Sequence, residues 1–284
     1  MYKKIRLSRR HFVQRISQAF AVQALPLAAY CKENDGLTIA CLCDPQLGFY
    51  TSSRPVQGYA ADLANLHQAV SQINVLKPDI VLVAGDMVQT LGKKSATDVN
   101  DALAVLTMPY RLTPGNHDIA PPVTRDKIAA YHHYFGSDKV SREIKGFKIV
   151  SGNSQLWTKG VAPELVKEHD AWFCKEVREA NSAGIPVIIM THIPPFVKKP
   201  DEKDAYYNIP MPYRQELLDF CADNGVFAYI AGHTHRTHRN EYRGISILNG
   251  ETTSTNFDDR PAGYRVLRIK RDKTFSWLFT PLEK

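Results

Sequence analysis

The chain has 284 residues, 44% of them apolar, which is enough to bury one large core within a single α/β domain. Its net charge of +7 is unevenly placed: of 36 basic side chains, Lys3, Lys4, Arg6, Arg9, Arg10 and Arg15 fall in residues 1–31, which carry no acid, leaving 30 basic against 29 acidic side chains elsewhere. A nearly neutral body without a basic stripe excludes nucleic acid as the expected partner.

The N-terminal segment has a basic opening, the run Ser8-Arg9-Arg10-His11-Phe12-Val13, and a weakly apolar stretch ending in Leu27-Ala28-Ala29. This is the layout of an export signal, and it resembles a twin-arginine signal. Residues 1–31 are therefore expected to direct the protein out of the bacterial cytoplasm, to the periplasm or the envelope, and residues 32–284 to form one domain. The apolar stretch is too short and too polar for a membrane-spanning helix. Leu27-Ala28-Ala29-Tyr30-Cys31 is close to a lipoprotein cleavage box, although Tyr30 is large for its position. Cleavage near residue 30 and a lipid anchor at Cys31 both stay open.

LTIACLC (37–43) is a β-rich apolar run, and residues 58–77 place Leu63, Leu66, Val70, Ile73 and Leu76 near helical spacing until Pro78 stops the helix. Residues 79–84 are wholly apolar after Asp79, as in a strand covered on both faces. A helix over 95–107, a strand at 109–113 and a helix capped by Thr124 and running to 135 continue the alternation. Strands around 143–151 turn at Lys145-Gly146, and a long helix over 163–182 leads to a strand within 185–192. A helix at 212–223 and a strand within 226–233 follow. NEYRGISILNG, AGYRVLRIKRD and TFSWLFT alternate apolar and polar residues, as antiparallel strands with one wet face do. The order predicts an α/β fold of two packed sheets with helices outside, a four-layer α-β-β-α sandwich. Cys41 and Cys43 share a strand face, and Cys174 and Cys221 lie on apolar helix faces, so all four read as small buried hydrophobes.

Each buried strand ends in a polar cluster: Asp44, then Gly85-Asp86, Gly115-Asn116-His117-Asp118, Thr191-His192 and Gly232-His233-Thr234-His235. Any one of these alone could be a cap or a turn. In α/β sheets, however, ligands gather at the carboxyl ends of strands. Five such ends in register would bring two carboxylates, an amide and three imidazoles to one point, a donor set suited to Mn, Fe or Zn.

In that order these motifs resemble the full series of the calcineurin-like metallophosphoesterases, over residues 37 to 250. Most of that family has His two residues after the first Asp, where this chain has Gln46. The Asp-Pro-Gln variant, with NSQ at 153–155, HIPPF at 192–196, DAYYN at 204–208 and GHTHR at 232–236, is similar to the branch whose animal member is described as a protein Ser/Thr phosphatase.

The resemblance implies two divalent metal ions and hydrolysis of phosphate monoesters by a metal-bridging hydroxide. A phosphodiesterase on the same centre and an inactive metal-binding scaffold are the alternatives. It implies that Asp44, His235 and Gln46 serve one metal, that Asp86 bridges, and that Asn116, His192 and His233 complete the other site. His117 would act as general acid, with Asp118 orienting its ring; Gln89 stands where many relatives carry an Asp. Arg54 and Arg236 are candidate phosphate contacts. The long loop at 194–213 makes Tyr206, Tyr207 and Asn208 candidate substrate contacts. His132, His133, His169 and His238 match no motif and read as surface or structural residues. A monomer is expected.

Overall fold

The computed structural model describes residues 36–49 and 58–283. The export-signal reading, Cys31 and Arg54 lie outside the described residues.

Among the described residues, eleven strands form two sheets. In the first, the order is β11 (Phe275–Pro281), β10 (Gly263–Lys270), β1 (Gly36–Leu42), β2 (Ile80–Val83) and β3 (Tyr110–Leu112). β1, β2 and β3 are parallel, and β10 and β11 add antiparallel strands. The second sheet runs β4 (Val140–Ile144), β5 (Phe147–Ser151), β6 (Val187–Met190), β7 (Val226–Ala231), β9 (Ile245–Asn249) and β8 (His238–Tyr242). Here β5, β6, β7 and β9 are parallel, edged by antiparallel β4 and β8.

Side-chain parity builds the layers. From β1 and β2, Leu37, Ile39, Cys41, Ile80 and Leu82 face the other sheet and meet Ile149, Ile188, Met190, Ala228 and Ile230. Their neighbours Ala40, Leu42, Val81 and Val83 face outward against Leu66, Val70 and Ile73 of α1 (Tyr59–Leu76) and Val99 and Leu103 of α2 (Lys93–Ala104). Behind the second sheet, Val187, Ile189 and Tyr229 pack on Phe173 and Val177 of α4 (Pro163–Ser182) and Leu217 and Leu218 of α5 (Tyr213–Asp223). The four-layer sandwich is the architecture the sequence predicts. No helix among the described residues is long and apolar enough to cross a membrane.

The remaining helix, α3 (Arg125–Phe135), is capped by the Thr124 hydroxyl, which accepts from the Lys127 amide. α1 stops at Lys77, whose left-handed backbone (φ 53°) precedes Pro78. α2 ends three residues before the expected 107, because the Asn74 side chain of α1 accepts from the Thr107 amide at 2.9 Å and draws the chain toward β3.

The tail departs further from its sequence pattern. β9 is inserted parallel to β7, and β10 is buried on both faces from Gly263 to Leu267. The expected wet face of β10 is covered because Tyr264 and Val266 pack in the core under the helices while Leu267 and Ile269 pack in the core between the sheets. The four described cysteines are free thiols; Cys41, Cys43 and Cys221 are buried, whereas Cys174 is half-exposed.

Candidate metal centre

The carboxyl ends of β1, β2, β3, β6 and β7 converge, and they bring Asp44, Asp86, Asn116, His192, His233 and His235 together. His192 is central and fully buried. Its Nε2 lies 3.0 Å from His233 Nδ1, 3.1 Å from Asn116 Oδ1 and 3.3 Å from Asp86 Oδ2. Asp44 Oδ1 stands 3.6 Å from His235 Nε2 and 3.8 Å from His192 Nδ1. Asp44 also accepts from the His233 amide, and Asp86 Oδ1 from the His117 amide at 2.8 Å.

Such close approach needs glycine. A Cβ on Gly115 would lie 2.0 Å from Asp86 Oδ1, and one on Gly85 would lie 2.5 Å from His192 Nδ1. The backbone is bent to match: Asp44, Gln46, Asp86, His233 and His235 all sit at φ between 40° and 69°. That conformation costs an L-residue on the order of 1 kcal/mol and is retained where the surrounding structure enforces it.

Each imidazole is fixed by a backbone carbonyl on one nitrogen: His192 Nδ1 on Ala84, His233 Nε2 on Tyr206 and His235 Nδ1 on Thr255, all at 2.8–2.9 Å. Donation to those carbonyls turns the opposite nitrogen into the cluster, His192 Nε2 toward Asp86, His235 Nε2 toward Asp44 and His233 Nδ1 toward His192 Nε2, the arrangement that orients histidine toward a cation. Phe257 stacks on the His235 ring at 4.8 Å.

Electrostatics points the same way. Burial opposes a charge on His192, but Asp86 and Asp44 raise it to about 9, so the two carboxylates favour positive charge at this point of the cluster. Burial and the His192 charge drive His233 down to about 3, which keeps it neutral and able to accept. Burial raises Asp44, opposed by His192 and His235. Asp86 is likewise pushed up by burial, but His192 and His117 outweigh that and hold it well below the carboxylate range.

Gln46 supplies a further test of fit. Its Nε2 donates to Gln89 Oε1 at 3.0 Å, which leaves Oε1 buried with no hydrogen-bond partner among the described residues. An orphaned buried acceptor is costly in a protein and is expected beside a cation. Asp86, His192 and His233 each offer a ligand atom within 4.8 Å of the others. The donor set present therefore fits divalent metal ions.

Two sequence expectations are corrected. Asp118 does not touch the His117 ring: its carboxylate accepts from the amides of Gly115, Met87 and Val88 at 2.8–3.4 Å, tying the loop after β3 to the loop after β2. Burial and the neighbouring Asp86 charge raise Asp118 to about 8. The His117 ring is held instead by the Gln89 carbonyl, 2.9 Å from Nδ1. The second correction is Asn208, which is buried. Its amide is spent on Glu202, Lys203 and the Ala205 amide, so it shapes the loop and leaves no polar atom for a substrate.

Tyr206 lies over the cluster with its ring 4.7 Å from that of His233 and its hydroxyl accepting from Asn116 Nδ2 at 2.8 Å. Tyr207 and Arg236 are exposed. His169 is buried and accepts from the Asn153 amide, and His132 meets Asp138, both structural contacts. The carbonyls of Ala84, Tyr206 and Thr255 carry no sequence signal, because any residue type could supply them.

Two packed sheets with carboxylates, an amide and oriented imidazoles at their strand ends define a metal-dependent hydrolase. A model of the calcineurin-like phosphoesterase family matches residues 37–237, and the chain belongs to that family: it is a metal-dependent phosphoric ester hydrolase. Among similar proteins are a Danio rerio serine/threonine-protein phosphatase CPPED1, 28% identical over 80% of this chain and 79% of that one, and a Synechococcus probable cyclic nucleotide phosphodiesterase, 27% identical over 81% and 84%. A solved dimetal phosphatase from Danio rerio shares the fold, with a TM-score of 0.65 and 14% identity over 88% of this chain and all of that one.

Proposed function

We propose that the chain hydrolyses phosphate monoesters with two divalent cations, Mn, Fe or Zn. Asp44, Gln46 and His235 would hold one, Asn116, His192 and His233 the other, and Asp86 would be shared. The single observation that supports this most strongly is the fixing of three buried imidazoles by backbone carbonyls around two buried carboxylates.

When bound, the cations supply Lewis-acid charge to the phosphoryl oxygens and make water acidic enough to attack near neutral pH. The chain's own residues do the rest. His117, anchored through Nδ1 on the Gln89 carbonyl, presents Nε2 to give a proton to the departing alkoxide. Asp118 positions that loop through the backbone rather than through the ring. Arg236, exposed beside His235, offers a guanidinium to a dianionic phosphate. With residues 1–31 as an export signal, small phosphate esters or envelope phosphoesters are the substrates, rather than cytoplasmic phosphoproteins. A diesterase is the second reading, favoured by the Synechococcus relative's description.

The test is metal content by mass spectrometry on the full chain, with turnover of matched mono- and diesters. Two metals per chain and faster monoester turnover are expected. Asp86→Asn should lose metal, whereas His117→Ala should keep metal and lose roughly 10²–10⁴-fold in rate on alkyl esters. Bound metal without turnover of any ester would leave only a scaffold.

A further inference from the structure

Beside Asn116 and His233, two of the three second-metal candidates, opens a cavity of about 330 Å³. Its walls include Pro121, Ile193, Ala205, Tyr206 and Pro210, so its lining is largely apolar. The charged groups that line its edge are engaged with each other: Lys159 Nζ meets Asp204 Oδ2 at 2.8 Å, while Asp204 Oδ1 is taken by the Met211 amide and by Arg214, which lies outside the lining. Thr158 donates its hydroxyl to the Gln155 carbonyl, and the Asn208 amide is committed within its own loop. The exception is Gln155, only 1% exposed, whose Nε2 has no partner among the described residues. Concave, mostly apolar walls with one uncommitted donor are what a small-molecule subsite offers.

We propose that this cavity receives the leaving group, and that its occupant is a neutral, ring-bearing alcohol carrying a hydrogen-bond acceptor for Gln155. The proposal rests on the phosphoesterase reading above and adds the class of ester. The Lys159 and Asp204 side chains that line the cavity are already bonded to each other, so neither is left uncommitted to hold an anionic or cationic alcohol. Apolar walls gain nothing from the hydroxyls of a sugar. The Tyr206 ring, pinned by its hydroxyl to Asn116, gives a flat face between cavity and metal centre on which a ring can lie. Gln155 then acts as a specificity residue, because a buried donor left unpaired penalises an alcohol that lacks the acceptor.

The experiment uses the metal-loaded full chain and three primary-alcohol phosphates whose leaving oxygens are chemically alike: butyl phosphate, 2-phenylethyl phosphate and 2-(4-acetylphenyl)ethyl phosphate. The expected kcat/KM rises in that order, by on the order of tenfold from butyl to phenylethyl and again to the acetyl ring. Gln155→Leu should erase the second step and keep the first. Ala205→Trp, which fills the cavity, should collapse both. Equal kcat/KM for all three esters, or ratios unchanged in both variants, would overturn the proposal. Should no ester turn over, the phosphoesterase reading fails by itself, and binding of 2-phenylethylphosphonate against butylphosphonate by calorimetry still decides the cavity. Tighter phenylethyl binding that Ala205→Trp abolishes supports it, and equal binding overturns it.

Discussion

Gly115→Ala would test whether the centre depends on the close approach of β2 and β3. The new Cβ would stand 2.0 Å from Asp86 Oδ1 and 2.4 Å from the Asp86 amide nitrogen. Ordinary contact begins at 3.4 Å, so the carboxylate must retreat by about 1.4 Å. That movement gives up the 2.8 Å bond from the His117 amide and the 3.3 Å approach to His192 Nε2, which tie the proton donor and a ligand to the same carboxylate. A misplacement near 1 Å costs about 10²-fold in rate, equivalent to roughly 2.7 kcal/mol of barrier. Overpacking adds about 1–3 kcal/mol of lost stability. The assay is phosphate release under saturating metal, with metal content and a thermal melt on the same sample. Gly92→Ala is the control, since its Cβ would meet nothing closer than Ser95 Oγ at 3.8 Å and its backbone is extended. The reasoning fails if Gly115→Ala keeps activity within about threefold of the parent while binding the same metal.

Two other perturbations probe the supports of the site. Glu202 holds the 194–213 loop by accepting from the amides of Val197, Lys198 and Lys199 and from Asn208. Burial would raise its carboxyl, but those donors outweigh it and lower it below the ordinary 4.5. Because the folded value is depressed, the loop's stabilisation is complete above the unfolded-state value and is lost as pH falls through the lowered folded one. Proteolysis within 198–207 should therefore accelerate only on acidification below about 4.5, and Glu202→Gln should show that faster cleavage already at neutral pH. Equal cleavage of variant and parent at neutral pH would sink the argument. Glu251, fully buried, accepts from Arg265 Nε at 2.7 Å and also meets Arg260 and Thr237. Glu251→Leu strands the Arg265 charge and should cost about 3–5 kcal/mol in urea unfolding, part of which Arg265→Met should restore in the double variant.

The sequence by itself determined the strand ends. Asp44, Asp86, Asn116, His192, His233 and His235 were legible as one centre because all but Asn116, which follows the short and partly exposed β3, come after an apolar covered strand, and parallel strands deliver their carboxyl ends to one edge. It also determined α4 to the residue, since Pro163 and a long amphipathic period bound it. What it could not determine depends on contacts between segments far apart in the chain. Adjacency in sequence pointed Asp118 at His117, but the turn after β3 aims that carboxylate at the amides of the β2 loop, and a carbonyl 28 residues away holds the ring instead. Asn208 carries the same polar groups as a ligand-binding residue, and only the folded loop shows them all spent. The orphaned Gln46 oxygen becomes visible once Gln89 is seen to take its nitrogen. The parallel insertion of β9 beside β7 was likewise hidden, because an alternating pattern fixes which face of a strand is buried and not which neighbour it pairs with. Residue chemistry and local period are written along the chain; which carbonyl, amide or strand stands opposite is decided by packing.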